Sequence, residues 1–444
     1  MKHQSFWTRT TLAGLAAAAL CAGAPSGTLD GRWDATLTQK GVVIPFRLDI
    51  AGEGDQVIGT LYNGQDKETT TSAKIENGTV RLNFEHYLTS IAANVKDGEL
   101  DGQVIVTRRS PINITPGAAP SEESKASDTL TPFHARRYTP PVAVAAADVP
   151  SIDGVWEIPH ESSKGEKAWR LIVKQTGPEI TTTLLRVDGD TGALTGRWQD
   201  GKFVASHFDG ARPGLITIAP QQDGTLQVDL HTPPRNGLMT AYRPEAARAK
   251  GLPEPANYLT HTSVRDPNEV FTYSFRDVDG KIVSNDNPRF KNKVVLAIVT
   301  GTWCPNCHDE AQYLVQLYWQ YHKKGVEIVA LDFEEADQQE SLTRVHAFIK
   351  QYKVPYPYLI AGTPDEMWDK VPQAVNLNTW PATFFIGKDG RVKATYSGFA
   401  AHASGVFNKE LNDDFTSTID RLLKDKPGVQ STALPRAVAD VASR

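Results

Sequence analysis

The stretch of sequence that decides the fold of this 444-residue chain lies at residues 294–307 and reads VVLAIVTGTWCPNC. It opens with seven consecutive apolar or β-branched residues, a pattern typical of a strand that is buried on both faces of a sheet. A Cys-x-x-Cys pair, Cys304 and Cys307, follows the strand, and Pro305 suits the first position of a helix. The sequence therefore predicts a central strand that delivers two cysteines to the start of a helix.

The segments around this stretch, from about residue 260 to residue 423, alternate between strand and helix patterns. Such alternation predicts an α/β domain with helices on the faces of a mixed sheet. The predicted strands cover 294–300, 326–333, 356–360, 383–386 and 392–397, and the predicted helices begin at the cysteines, at residue 341 and at residue 408.

The spacing of the two cysteines favours redox chemistry. Disulfide exchange needs a thiolate, and a free cysteine has a pKa of about 8.5, so the protein must stabilise the charged form. The first turn of a helix does so with unpaired N–H groups and the positive end of its dipole. We therefore predict that Cys304 is an exposed attacking nucleophile and Cys307 the resolving thiol. The only other cysteine, Cys21, lies close to the N-terminus, which favours catalysis over a structural disulfide.

Three short motifs carry a resemblance to a known family. They read GTWCPNC at 301–307, GVEIVA at 325–330 and WPATFFI at 380–386. Residues 260–423 resemble the TlpA/ResA family of exported thioredoxin-like thiol-disulfide oxidoreductases. The resemblance implies a thioredoxin-like fold with an inserted helix and strand, and a redox disulfide between Cys304 and Cys307. It implies neither a cofactor nor a metal.

The same resemblance assigns roles to residues around the cysteines. Pro381 matches a proline that is cis in thioredoxin-like folds and lies against the cysteine pair. Trp303, Pro305, Trp380 and Pro381 would then contact the substrate. Trp380 is larger than the aliphatic residues common before that proline, so we expect it to narrow the substrate groove.

A buried acid is the other expected part of the site. Ile298 stands where thioredoxins keep an aspartate, so the central strand supplies no carboxylate. Glu310 matches a family glutamate that moves the proton of the second cysteine, and the resemblance makes it a third catalytic residue. The alternative is that Glu310 only favours the helix dipole.

The predicted partners follow from the family and from the charge. The resemblance implies protein disulfide substrates and, as reductant, a membrane thiol-electron transporter of the DsbD/CcdA type. A net charge of −5 gives no electrostatic case for nucleic acid. Residues 1–24 have a basic start and a short apolar stretch, which predicts a signal peptide and a periplasmic protein. Lipid attachment at Cys21 is the alternative.

The N-terminal half is predicted to be antiparallel β-structure with an internal repeat. DGRW at 30–33 recurs as DGVW at 153–156, and NGTV at 77–80 recurs as DGKF at 200–203. We divide the chain into module 1, module 2, the redox domain and a disordered tail, which are residues 25–138, 139–250, 251–426 and 427–444. The two modules would form two small barrels or one merged barrel.

Several alternatives use the same residues. Trp33 and Trp156 could form a ligand platform, although a repeated aromatic favours a core anchor. Cys304 to His308 also satisfies the Cys-x-x-Cys-His signature of covalent haem, with His308 as proximal ligand and Met239 or Met367 as distal ligand. Otherwise a positively charged His308 would lower the pKa of Cys304. The remaining alternatives are a disulfide-donating oxidase or isomerase, a peroxidase, and a binding protein that works through its β-modules.

Overall fold

The computed structural model describes residues 29–108, 127–142, 145, 148–232 and 235–426. The predicted signal peptide with Cys21 and the predicted tail at 427–444 lie outside these residues. Within the described residues, no helix has the length and apolar character needed to cross a membrane.

Module 1 is a single antiparallel sheet. Its strands are β1 Gly31–Gln39, β2 Val42–Ala51, β3 Ile58–Asn63, β4 Asp66–Thr69, β5 Ser72–Glu76, β6 Thr79–Phe84, β7 Thr89–Lys96, β8 Glu99–Arg108 and β9 Ser127–Arg137. They pair in the order β4-β3-β2-β1-β9-β8-β7-β6-β5, so the sheet curls around its apolar core as an open half-barrel.

Module 2 repeats this plan in a nearly closed form. Its strands are β10 Gly154–Pro159, β11 Ala168–Thr176, β12 Glu179–Arg186, β13 Gly189–Asp190, β14 Leu194–Gln199, β15 Lys202–His207, β16 Gly214–Pro220, β17 Leu226–Thr232 and β18 Arg235–Ala241. The path runs from β10 to β18, with β13 paired only to β12. A bridge between Glu157 and Tyr242 brings its two ends together.

The repeat is visible in equivalent contacts. The indole N–H groups of Trp33 and Trp156 donate to the carbonyls four residues before them, at 3.0 and 2.9 Å. Both rings are buried and lie under a guanidinium, Arg137 at 4.1 Å and Arg243 at 3.8 Å. Both tryptophans are therefore core anchors. The prediction of antiparallel β-structure is confirmed and the merged barrel is wrong, because the strands of each module form a separate sheet.

The redox domain follows through two short helices, α1 Pro244–Ala249 and α2 Tyr258–His261. Its remaining elements are β19 Ser263–Val264, β20 Ser274–Asp277, β21 Ile282–Ser284, β22 Val294–Thr300, α3 Pro305–Tyr321, β23 Val326–Phe333, α4 Ala336–Ser341, α5 Thr343–Tyr352, β24 Tyr358–Gly362, α6 Met367–Lys370, β25 Ala374–Val375, β26 Ala382–Ile386, β27 Val392–Ser397 and α7 Val406–Lys424. The main sheet has the order β21-β20-β24-β23-β22-β26-β27, with β22 parallel to β23 and antiparallel to β26.

This order confirms the thioredoxin-like prediction. Every residue of β22 is buried, because helices or other packed elements cover both faces of the sheet. The predicted helix that starts at residue 341 is divided instead: α4 ends at Ser341, Leu342 adopts a left-handed conformation with φ of 51°, and α5 begins at Thr343.

The two modules pack on the redox domain through apolar and polar contacts. Ile172 and Leu185 of module 2 belong to the same buried cluster as Tyr396 and Phe399 of the redox domain. Gln351 donates to Glu68 of module 1 at 3.3 Å. Burial of apolar surface makes such contacts favourable, so the modules form one packed unit with the redox domain.

Candidate active site

The two cysteines lie at the start of α3, as the sequence predicts. Cys304 is the N-cap residue, in extended conformation, and Pro305 occupies the first turn, where a missing N–H costs nothing. The N–H of Cys307 donates to the carbonyl of Cys304 at 3.0 Å, and both side chains are free thiols. The helix therefore presents both sulfurs at the carboxyl end of the central strand.

Burial of the pair differs from the expectation. Cys304 is 5% exposed and Cys307 is 1% exposed, so the prediction that Cys304 is an exposed nucleophile is wrong. Cys304 belongs to the same buried cluster as Trp380 and Phe333. Module 2 also bonds to Asn306, between the two cysteines. The Cys-x-x-Cys motif alone could not reveal that module 2 contacts this turn.

The predicted substrate-contacting residues gather around Cys304. Its thiol donates to the carbonyl of Trp380 at 3.5 Å, and the Trp380–Pro381 peptide bond is cis. The rings of Trp303 and Trp380 pack with centroids 5.0 Å apart, and the Trp303 indole donates to the carbonyl of Phe333 at 2.8 Å. Trp380 is itself buried, so its ring forms a wall beside the nucleophile.

A small cavity behind Cys307 contains the predicted acid. Its lining includes Cys307, Glu310, Thr300 and Tyr358. Glu310 is 1% exposed, and its carboxylate accepts a hydrogen bond of 2.7 Å from the hydroxyl of Thr383. Burial raises the pKa of Glu310 to about 8, which the Thr383 bond only partly offsets. Glu310 can thus hold or release a proton at neutral and mildly alkaline pH.

The second thiol is held in its neutral form. Burial, followed by the adjacent Cys304, raises the pKa of Cys307 well above its ordinary value, while Thr300 acts in the opposite sense. Cys307 therefore needs a nearby base before it can attack, and Glu310 is the carboxyl group that shares its cavity.

His308 does not have the role that the sequence suggested. It is fully buried, and burial together with His86 lowers its pKa well below the ordinary value. A cationic His308 beside Cys304 is therefore wrong. One ring nitrogen lies 2.7 Å from the carbonyl of Thr302 and the other lies 2.9 Å from the hydroxyl of Tyr352. Neither is free to bind haem iron.

An acidic cluster that no sequence motif indicated supports the loop before the cysteines. Glu334 accepts hydrogen bonds from both the N–H and the hydroxyl of Thr302, at 2.6 and 2.5 Å. Arg344, buried on α5, bonds to Thr302, Glu334 and Glu335 at 2.9, 2.5 and 2.8 Å. Asp332 lies beside them, and burial followed by the neighbouring Glu334 raises its pKa well above the ordinary value. A buried acid therefore comes from β23 instead of from β22.

Module 2 supplies a second set of missed contacts. Asn306 donates to the carbonyl of Asp188 at 2.8 Å and accepts from Arg212 at 2.8 Å. Arg212 also bonds to Asp309 at 3.0 Å. Burial raises the pKa of Asp309 to about 7, although Arg212 opposes that shift. The structure thus brings the predicted site residues close together, and residues of module 2 contact the same helix turn. The predicted site residues are Trp303, Cys304, Pro305, Cys307, Glu310, Trp380 and Pro381.

The fold and this site define a thioredoxin-like domain with a Cys-x-x-Cys pair at the start of a helix. Residues 266–395 match the AhpC/TSA family. The chain is 36% identical over 126 residues to the thiol-disulfide oxidoreductase ResA of Bacillus thuringiensis subsp. konkukian, covering 28% of this chain and 64% of that protein. With ResA of Bacillus subtilis it is 29% identical over 136 residues, covering 31% and 69%. The C-terminal region is thus similar to the AhpC/TSA family and to ResA, which confirms the resemblance seen in the sequence.

A solved structure shows the same local likeness. The thiol:disulfide interchange protein of Chlorobium tepidum TLS matches with 23% identity and a TM-score of 0.27, over 36% of this chain and 99% of that one. This chain spans 64% of the length of the first ResA relative, and that relative aligns with 28% of this chain.

Proposed function

We propose that this protein is an exported thiol-disulfide oxidoreductase that reduces protein disulfides through a cycle of the Cys304 and Cys307 thiols. The observation that carries the proposal is the shared cavity of Cys307 and Glu310, directly behind the nucleophile at the start of α3. A structural thiol pair does not need a buried carboxyl group with a pKa of about 8 beside it.

The residues act in a defined order. The Cys304 thiolate attacks one sulfur of the substrate disulfide, the substrate S–S bond breaks, and the other sulfur leaves as a thiolate that takes up a proton. Glu310, as the carboxylate, then accepts the proton of Cys307. The Cys307 thiolate attacks Cys304, forms the Cys304–Cys307 disulfide and releases the second substrate thiol. Two electrons pass from the protein to the substrate.

The direction and the partners belong to the same proposal. Similarity to ResA favours reduction, with a membrane thiol-electron transporter of the DsbD/CcdA type restoring the dithiol. The signal peptide proposed for residues 1–24 would place this chemistry in the periplasm. Trp303, Pro305, Trp380 and Pro381 would line the path of the substrate toward Cys304.

Trapping the mixed disulfide tests the cycle. With Cys307→Ser, the attack by Cys304 should still occur but resolution should not, so a covalent complex with an oxidised substrate peptide should accumulate. Cys304→Ser should give no complex. Mass spectrometry of the quenched mixture reads both outcomes, and a complex that forms equally well through Cys307 would contradict the assigned order.

The reduction potential tests the direction. Equilibration against defined glutathione or dithiothreitol ratios should give a value near that of thioredoxin, about −270 mV. A value near about −120 mV, as in strong oxidants, would make the protein a disulfide donor instead.

A further inference from the structure

A loop of module 2 lies on the active-site face of the redox domain. The loop, residues 187–192, connects β12 to β14 and includes β13. Its first anchor is the carbonyl of Asp188, which accepts from the Asn306 side chain between the two cysteines at 2.8 Å. Its second is the N–H of Asp190, which donates to the carbonyl of Phe399 at 3.3 Å.

The carboxylate of Asp190 fixes the loop more firmly. Asp190 is fully buried, and one of its oxygens accepts from the N–H of Ala401 at 2.8 Å and from the hydroxyl of Ser404 at 2.6 Å. The other oxygen accepts from the N–H of Gly192 at 2.8 Å. Hydrogen bonds to a buried carboxylate are stronger than those between neutral groups, so this contact holds the loop against the segment after β27.

Two glycines bring the backbones into direct contact. Gly398 has φ of +70°, and a Cβ there would lie 2.4 Å from the carbonyl oxygen of Val187. Gly189 has φ of +111°, and a Cβ there would lie 2.6 Å from the carbonyl oxygen of Phe399 and 2.7 Å from the amide nitrogen of Asn306. The contact leaves no space for a side chain on either residue.

This contact limits the approach to Cys304. The N–H of Gly398 donates to the carbonyl of Pro381 at 2.8 Å, so the loop of module 2 packs against the segment that borders the nucleophile. Trp380 closes another side, and 5% of Cys304 stays exposed. A substrate disulfide must bring one of its sulfurs into contact with the Cys304 thiolate, so it has to enter beside this contact.

We propose that residues 187–192 determine substrate specificity by selecting disulfides on short, extended polypeptide segments against disulfides on folded proteins. An extended segment is thin enough to reach Cys304 past the loop. A folded surface would collide with module 2, and such a collision is an effective way to reject a competing substrate. This inference rests on the proposed function, since it assumes that Cys304 attacks disulfides.

Access to Cys304 can be measured without turnover. The reduced protein is treated with N-ethylmaleimide and, separately, with a maleimide carried on a polyethylene glycol chain, and Cys304 labelling is followed by mass spectrometry. Because both reagents react with the same thiolate, the ratio of the two rates reports access rather than ionisation. In the native protein we expect the small reagent to react much faster than the large one.

Gly189→Ala should open the loop, since its Cβ has no space and its φ is strained. We expect the rate ratio to fall by about tenfold, the effect of destabilising the closed contact by about 1.4 kcal/mol. Asp190→Ala should also lower the rate ratio, and it replaces Gly189→Ala in the test if that variant folds poorly. Gly201→Ala is the matched control, because Gly201 lies in the same module with φ of +80° and nothing near its Cβ.

Turnover then tests the selectivity. The opened variants should reduce insulin about tenfold faster, because the closed contact is destabilised by the same amount of free energy as above. The rate at which they reduce a short peptide with one internal disulfide should change little. Equal labelling by both maleimides in the native protein, or unchanged ratios in both opened variants, would overturn this inference alone. If Cys304 is not labelled and no variant reduces the peptide, the result would instead contradict the proposed function.

Discussion

At the scale of single residues, Glu310 has the clearest assignment. Its carboxyl group faces the cavity that contains Cys307, and burial raises its pKa to about 8. The resolving step should therefore accelerate as the pH rises to about 8, where the carboxylate becomes the dominant form. The attack by Cys304 should not depend on this group.

Replacement by glutamine should separate the two steps. Glu310→Gln should slow resolution by about 100-fold, the lower end of the range for general acid–base catalysis, and leave the first attack nearly unchanged. Rapid mixing with an oxidised peptide, followed by acid quench, measures both rates. An unchanged resolution rate would leave Glu310 with only the helix-dipole role.

The same residue makes stability depend on pH. In the folded protein Glu310 stays neutral up to about pH 8, whereas in the unfolded chain it ionises near pH 4.5. Its stabilising contribution is complete below pH 4.5 and is lost as the pH rises through 8.

Glu310→Gln should remove that dependence. At pH 9 the variant should gain of the order of 4 kcal/mol over the native protein relative to their difference at pH 4, at about 1.4 kcal/mol per pKa unit. Urea unfolding at both pH values measures it. Exposed Glu340→Gln is the control and should show no such gain.

The sequence predicted the identities of these residues better than their surroundings. Cys304 and Pro381 were predicted from short motifs, and Glu310 was predicted from its place three residues after Cys307. The burial of Cys304 was missed because it depends on packing against residues distant in sequence, such as Phe333 and Trp380. The neutral state of His308 was missed because it depends on burial and on His86 of module 1. A local pattern does not contain that information.

At the scale of elements, the acidic cluster between β23 and α5 fixes the loop before the cysteines. Arg344 on α5 neutralises Glu334 and Glu335, and Glu334 in turn holds Thr302. Removing one partner of a buried ion pair leaves the other charges uncompensated.

Arg344→Met should therefore destabilise the protein by about 3–5 kcal/mol. Lys350→Met on the exposed side of the same helix should change stability by less than about 0.5 kcal/mol. Urea unfolding measures both. A loss below about 1 kcal/mol for Arg344→Met would show that these ion pairs contribute little to stability.

Element boundaries were predictable where the pattern was strong. The run at β22 and the strand Val326–Phe333 have the predicted limits, since continuous apolar sequence requires burial on both faces. The break between α4 and α5 was not predictable, because Leu342 has no turn-forming chemistry and adopts its left-handed conformation through the surrounding packing.

At the scale of the whole molecule, module 1 contacts the active-site helix as well. The ring of Tyr87 stacks on His308 with centroids 4.1 Å apart, and His308 in turn lies 2.7 Å from the carbonyl of Thr302. Module 1 and the loop before Cys304 are thus joined through one buried histidine.

Tyr87→Ala should destabilise the protein by about 3 kcal/mol and leave a cavity beside His308. Amide hydrogen exchange should accelerate in the first turns of α3. Tyr62→Ala in the same module should not change exchange in α3, because its ring packs under Arg47 instead. Unchanged exchange in the Tyr87 variant would show that this stack is not coupled to the redox helix.

Because module 2 precedes the redox domain in the sequence, its residues are synthesised before the residues that they contact. Asp188 and Arg212 are made long before Asn306, so the redox helix is the last participant to arrive at their contact. Until the segment with Ala401 and Ser404 leaves the ribosome, nothing anchors the Asp190 loop on that side. The cysteines of the nascent chain therefore lack the contacts of this loop at that stage. Beyond Cys21, however, Cys304 and Cys307 are the only cysteines in the sequence, so the bridge that these two can form with each other is the one the proposed cycle uses.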